Sequence, residues 1–296
     1  MDEEVLRKYR MAGDIAAKAR EFGKELVEEG ASYLEVVEKT EEKIRDLGGK
    51  PAFPVNLSVN EVGAHDTADV GEKRKIDSGL VKLDVGVHVD GYIGDTAVTV
   101  PVNTEKEELV EASRRALDNA LEMIEPGRKV SEVSSKIEET IKEFGYNPIR
   151  NLTGHGLEQY DLHAKIEFPN VETGIDYELK EGDVFALEPF ATDGSGKVIE
   201  SNRKLILMWK EDKSVRSREG RKILKMAKDD FNKLPFSKRW LTENVSKLRL
   251  KMSLRQLTDR NALHEYPVLR EVDKGDISQA EHTVIVKDEP EVTTKV

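Results

Sequence analysis

The sequence predicts an α+β fold of two αα–strand–hairpin units related by a pseudo-two-fold, with a mainly helical subdomain inserted into the second unit. Three features lead there. Val81–Val100 reads as a hydrophobic hairpin, a helix–helix–strand pattern recurs about 97 positions along the chain, and residues 210–269 lose the glycine and strand signals that precede them. The expected core is therefore residues 1–209 and 270–296. Its first unit is about 1–105 and its second about 106–209 plus 270–296, with 210–269 as the insertion.

In chain order, apolar spacing predicts a helix over 3–29 closed by Gly30, then a second from Ser32, with Glu35 placed for a capping interaction, to Leu47-Gly48-Gly49. Phe53–Asn60 is extended and leads to His65, and Asp66–Gly79 reads as polar loop. Helices follow at Glu107–Glu125 and Val130–Phe144. Their match to the first pair at a shift of 97 includes Gly30/Gly127, Glu35/Glu132, Val36/Val133, Ile44/Ile141 and Gly48/Gly145. Pro148–Gly156 carries His155 and Asp161–Ile166 carries His163. DVFALEPF is a strand ending at Glu188-Pro189, and Val198–Trp209 is strand with a polar interruption. The insertion holds helices at Ser217–Leu234, Lys238–Leu248 and Ser253–Ala262. Strand returns at Ile277–Lys287 around Glu281.

In the hairpin, Val81, Leu83, Val85, Val87 and Val89 recur at period 2, and Asp90-Gly91 is a turn signal. A two-residue turn sets Gly86 opposite Asp95 and Ala97 opposite Asp84. Both carboxylates then share one face on a diagonal of roughly 7–8 Å, with Gly86 leaving room between them. Inward-facing carboxylates in an apolar hairpin must be paired, protonated or bound to metal. Glu188 and Glu281 repeat the anomaly in other strands, and His155 lies between two glycines. Were Asp84, Asp95, His155, Glu188 and Glu281 to converge, their repulsion would demand cations, and two divalent ions satisfy it. Such a pair supports hydrolysis of a carbonyl compound. His88 shares parity with Asp84 but suits a structural role, His282 faces away from Glu281, and His264 lies in the insertion.

Composition narrows the chemistry. Of the 296 residues, 38% are hydrophobic and 35% charged, the formal charge is -11, and Cys is absent. That excludes a disulfide framework, a thiol nucleophile and thiolate metal sites. It also argues against a general nucleic-acid binder. The run Arg216, Arg218, Arg221, Lys222, Lys225, Lys228 is interspersed with acids and reads as a solvated face. With no apolar run of membrane-spanning length, no membrane partner and a cytoplasmic location are expected.

The segments GGKPAFPVNLSVNE (48–61), His65, LDVGVHVDGYIGDTAVTV (83–100), NLTGH (151–155), LHA (162–164), VFALEPFAT (184–192) and EHTVIV (281–286) together resemble type 2 methionine aminopeptidases. These form the archaeal and eukaryotic class of peptidase family M24. The resemblance implies the pita-bread (creatinase/aminopeptidase) fold, with the helical insertion that separates type 2 from type 1. It implies a cytoplasmic monomer that removes N-terminal methionine from nascent polypeptides, preferring a small second residue, with possible ribosome proximity. Two divalent ions, Co, Mn, Fe or Zn, are implied as cofactors. Asp84 would chelate one, Asp95 and Glu281 would bridge both, and His155 and Glu188 would complete the shell of the other. His65 and His163 would serve the substrate amine, amide and carbonyl, Glu188 would shuttle the proton, and Phe53 would line the methionine pocket. Xaa-Pro dipeptidases share the fold and quintet, but GKPAFP and a chain starting at the first helix favour the aminopeptidase. A non-catalytic ribosome- or RNA-associated relative is the other rival, opposed by the intact ligand set.

Overall fold

The helices form where capping and apolar spacing meet. In the computed structural model, which describes residues 1–242 and 244–296, α1 spans Glu3–Glu25 and α2 Tyr33–Asp46. The Asp2 carboxylate accepts from Val5 N–H at 2.8 Å, and the Ser32 hydroxyl accepts from Glu35 N–H at 3.4 Å. Each such cap contributes roughly 1 kcal/mol. Helix α1 stops a turn before residue 29. The N–H groups of Leu26 and Val27 bond the carbonyls of Gly23 and Lys24, three residues back, and tighten the end into a turn. Short strands β1 (Lys50–Pro51), β2 (Asn56–Val59) and β3 (Val62–Ala64) follow.

The hairpin is β4 (Gly79–Val89) and β5 (Tyr92–Val102). Its register has Gly86 opposite Asp95 and Asp84 opposite Ala97, as the two-residue turn requires. Asp90 (φ 51°) and Gly91 (φ 89°) both take the left-handed conformation of a type I′ turn. His88 has the structural role expected of it, its Nδ1 accepting from Gly91 N–H at 3.1 Å inside that turn. The room at Gly86 is filled: a Cβ there would lie 2.1 Å from the Phe53 ring, so the gap seats an aromatic wall.

The second unit repeats the first with little drift. Helices α3 (Glu107–Leu121) and α4 (Val130–Glu143) precede β6 (Asn147–Pro148). Position 33 maps to 130, 46 to 143 and 50 to 147, a constant shift of 97. Then come β7 (Thr153–Glu158), β8 (Asp161–Pro169), β9 (Val184–Leu187), β10 (Phe190–Thr192) and β11 (Val198–Trp209). The polar interruption expected in β11 is a pair of register shifts around Lys204. Each unit buries a core under its helices. Val37, Ile44, Leu57 and Leu83 lie in the first, and Ile137, Ile141, Phe168 and Phe185 in the second. Each such side chain contributes roughly 1.5–3 kcal/mol through burial.

The insertion departs most from expectation. It holds α5 (Arg218–Asp229), β12 (Phe236–Ser237), a short 3-10 turn (Arg239–Leu241) and α6 (Lys247–Asp259). Of the helix expected at Lys238–Leu248, the described residues show only that turn and the first two residues of α6. Arg239 and Trp240 are drawn to buried Glu41 of the first unit at 2.7 and 2.8 Å. Leu263–Leu269, read from sequence as part of the insertion, lies in β13 (Leu263–Glu271), which pairs along β11 from Val198↔Glu271 to Trp209↔Leu263. Strands β14 (Ile277–Gln279), β15 (His282–Ile285) and β16 (Glu291–Val292) end the chain. Among the described residues no helix is long and apolar enough to cross a membrane.

Helix α1 sits directly on the hairpin: a Cβ at Gly94 would fall 2.5 Å from the backbone nitrogen of Gly13. Gly94→Val should therefore destabilise the fold by about 1–3 kcal/mol, the usual range for overpacking. Urea denaturation checks this, and an unchanged midpoint would refute the tight contact.

Candidate metal centre

All five expected ligands come to one cavity of about 170 Å³, which Phe53, His65 and His163 also line. Asp84 and Asp95 enter from the hairpin and His155 from β7. Glu188 and Glu281 occupy two breaks that lie side by side. Strands β9 and β15 pair in one sheet and β10 and β14 in another, so both chains change sheet at Glu188-Pro189 and Ala280-Glu281. Such breaks free a side chain from the alternation of a continuous strand. The sequence reading as single strands, 183–190 and 277–287, overlooked them.

A short seam then joins the units. Ala97 and Glu281 form an isolated bridge, their N–H and C=O groups paired at 3.2 and 3.4 Å. To either side threonine hydroxyls stand in for the ladder. Thr283 Oγ1 accepts from Asp95 N–H at 2.7 Å and donates to Asp95 O at 2.9 Å. Thr99 Oγ1 does the same for Gln279, at 2.8 and 2.7 Å. Thr96 Oγ1 adds a bond to Glu281 O at 2.8 Å.

Ligand atoms of Asp95, His155 and Glu281 lie within 4.8 Å of one another, and these residues are buried. His155 Nε2 is 3.6 Å from Glu188 Oε1 and 3.9 Å from Asp95 Oδ2. Buried oxygens Asp84 Oδ1 and Asp95 Oδ1 have no hydrogen-bond partner. Burial pushes the Asp84 carboxyl up to about 7, against a small opposing pull from the Gln279 amide. Burial and then mutual repulsion push Asp95, Glu188 and Glu281 well above the usual carboxylate range. Burial, reinforced by His163, holds His155 well below the usual imidazole value, leaving a neutral lone pair. Orphaned carboxylate oxygens beside a neutral imidazole form a donor set for a hard-to-borderline divalent cation. The residues fit a metal.

His65 has φ 64°, a conformation that costs a non-glycine residue of order 1 kcal/mol or more. Its Nδ1 lies 3.1 Å from the Pro267 carbonyl. A carbonyl only accepts, so Nδ1 carries the proton and Nε2 the lone pair. Burial lowers this imidazole to about 4. His163 is open to solvent through the cavity, its ring 4.6 Å from that of His155, and its pKa is lowered by the surrounding protein. Tyr266 lies between them, with ring centroids 5.3 Å from His65 and 6.3 Å from His163. His282 turns away to Thr294 at 2.8 Å and His264 packs against Tyr266, both apart from the ligands.

Two residues escaped the sequence reading. Gln279 Nε2 lies 3.3 Å from Glu188 Oε2 and 3.5 Å from Glu281 Oε2. Its spacing of two from Glu281 was the available signal. Tyr266 offered none, because its strand was not foreseen.

The profile of metallopeptidase family M24 matches residues 7–219. A methionine aminopeptidase of Thermococcus onnurineus is 47% identical over 292 residues, covering 98% of each chain. The structure of a thermophilic Arx1 superposes with a TM-score of 0.86 at 18% identity, covering 99% of this chain and 91% of the other. Methionine aminopeptidase from Thermotoga maritima gives 0.73 at 24% identity, covering 100% and 98%. These folds are the pita-bread architecture expected from sequence, here with its helical insertion.

Metal binding must displace the protons that raised carboxyl pKa values retain, so affinity rises with pH. Asp84, at about 7, loses its proton across neutrality. Calorimetric titration of metal-free protein with Mn²⁺ should show tighter binding at about pH 8 than at about pH 6, with proton release. Equal affinities without release would refute this.

Proposed function

This chain belongs to the methionine aminopeptidases of metallopeptidase family M24, metal-dependent hydrolases of the aminopeptidase type, and from that premise we propose that it is a type 2 enzyme. In this reading it removes the N-terminal methionine from nascent polypeptides and peptides whose second residue is small. The observation that carries the proposal is the meeting of Asp84, Asp95, His155, Glu188 and Glu281 in one cavity with Phe53, His65 and His163. In this reading the active unit is a monomer.

Two divalent ions, Co, Mn, Fe or Zn, would be held by that quintet, with Asp95 and Glu281 shared between them, and would supply Lewis acidity towards a carbonyl and towards water. The protein supplies the rest. Glu188, at the edge of the cluster and 3.6 Å from His155 Nε2, shuttles the proton from the attacking water to the leaving amine. His65 presents a fixed acceptor at Nε2, suited to the N–H of the scissile amide. His163, neutral and with one N–H, donates to the oxygen on which charge develops. The methionine side chain lies against Phe53, whose ring is held over Gly86. A cavity of about 170 Å³ is below the roughly 300–1,000 Å³ of drug-sized sites, which suits one thioether side chain and a small neighbour.

Ribosome proximity is a second reading with its own support. Residues 210–269 carry 16 Lys and Arg against 8 Asp and Glu, whereas the whole chain carries 47 against 58. A basic subdomain on an acidic protein suits non-specific phosphate contacts. Reversing charge at Arg216, Arg218, Arg221 and Lys222 should reduce co-sedimentation with ribosomes at low salt. Unchanged co-sedimentation would remove this reading.

The main proposal predicts release of methionine from Met-Ala-Ser and no cleavage of Ala-Pro. Cleavage of the Xaa-Pro substrate alone would establish a dipeptidase instead. Asp95→Asn should lower kcat/KM by about a hundredfold or more, in line with losses at ligating groups, and full activity would refute the shared-ligand role.

A further inference from the structure

The cavity that holds the metal ligands does not stand alone. A second, of about 460 Å³, shares His65 and Tyr266 with it and runs along β13 past Lys204, Thr258 and Glu265. A third, of about 630 Å³, shares Thr258 and Glu265 with the second and lies between α6 and the Asp69–Val70 loop of the first unit. Each junction is a pair of shared residues, so the three cavities adjoin in series, a trough from the metal centre to the rim of the insertion. By contrast, the cavity of about 820 Å³ against α2, lined by Arg45 and Lys50, meets the metal cavity only at Pro235.

Charge changes along the trough. In its middle part Lys204 is paired with Glu265 at 3.6 Å. Its outer part is lined by four bases, Lys238, Lys247, Lys251 and Arg255, against Asp69, Asp259 and Glu265. Of those acids Glu265 already faces Lys204, and Asp259 lies 3.7 Å from Arg255. The outer end is therefore electropositive although the protein as a whole is acidic. The whole middle cavity separates this outer end from the metal cavity, and an extended peptide advances only roughly 3.3–3.6 Å per residue, so residues beyond the second are the ones that reach it.

We infer that this trough is the binding path for the substrate chain downstream of the cleaved bond, and that its outer end selects for acidic side chains there. The inference rests on the aminopeptidase reading of the metal cavity. The occupant is the substrate itself because the trough begins at His65 and Tyr266, which line the metal cavity, and its parts adjoin in series away from it. Contacts so far from the scissile carbonyl are felt equally in ground and transition states, so they act on KM and leave kcat unchanged.

The test uses the metal-loaded full chain and three peptides, Met-Ala-Gly-Ser followed by four Glu, four Ser or four Lys. At low salt kcat/KM should fall in that order, with about 3–10-fold between the extremes, carried by KM and compressed at high salt. The double variant K247E/K251E should reverse the order. R45E, on the separate cavity, should keep it. Anisotropy of labelled peptides on metal-free protein should rank affinities the same way. Met-Ala-Ser, too short to enter the outer trough, keeps the two readings apart, since failure to cleave it refutes the aminopeptidase. Cleavage of it together with equal kcat/KM for all three tails refutes the trough. Retention of the acidic preference in K247E/K251E, or its loss in R45E, would likewise overturn the path assigned here.

Discussion

The structure depends on the seam where Asp95–Thr99 runs antiparallel to Gln279–Thr283. Only Ala97 and Glu281 pair directly, and threonine hydroxyls complete the ladder on both sides. A hydroxyl both donates and accepts, so one side chain satisfies the N–H and C=O of a facing residue at once. The two units are thereby fixed in register at the point where each contributes a central carboxylate. Neither unit has the site alone. The pseudo-two-fold exists, in chemical terms, to bring Asp95 and Glu281 together.

That arrangement opposes folding. Four carboxylates in one cavity repel, and burial penalises each charge. Without a cation the protein responds by retaining protons, as the raised pKa values record. The neutral histidines tell the complementary story, since His65 and His155 are pushed down and add no positive charge to relieve the acids. The site is thus built to favour an external cation over an internal salt bridge. Gln279, donating amide hydrogens without bringing charge, holds Glu188 and Glu281 in place while leaving that demand intact.

Much of this was legible because local rules and tertiary needs agreed. Period-2 valines and Asp90-Gly91 fixed the hairpin register, and with it the shared face of Asp84 and Asp95. Repeated glycines and capping residues placed α2 and α4 at a constant shift. The failures have specific causes. β13 contains Pro267 and mixed polarity, so its strand character depends on β11 rather than on its own pattern. The helix expected at Lys238–Leu248 yielded to Glu41, a buried acceptor nearly two hundred positions away. Phe53 filling the gap at Gly86 is a packing event between segments that composition cannot relate. Likewise the ligands could be named from sequence, but the threonines that register them are common residues with no signature.

β13 has a mechanical consequence. The insertion leaves the core at Trp209 and returns at Leu263, directly opposite in the β11–β13 ladder, and is tied again to the first unit through Glu41. One strand of that ladder also carries Tyr266 into the cavity and lends the Pro267 carbonyl that sets the proton on His65. The strand that carries the insertion and the rim of the cavity are the same piece of backbone. Whatever displaces that strand displaces the partner of His65 Nδ1 and the ring of Tyr266 together.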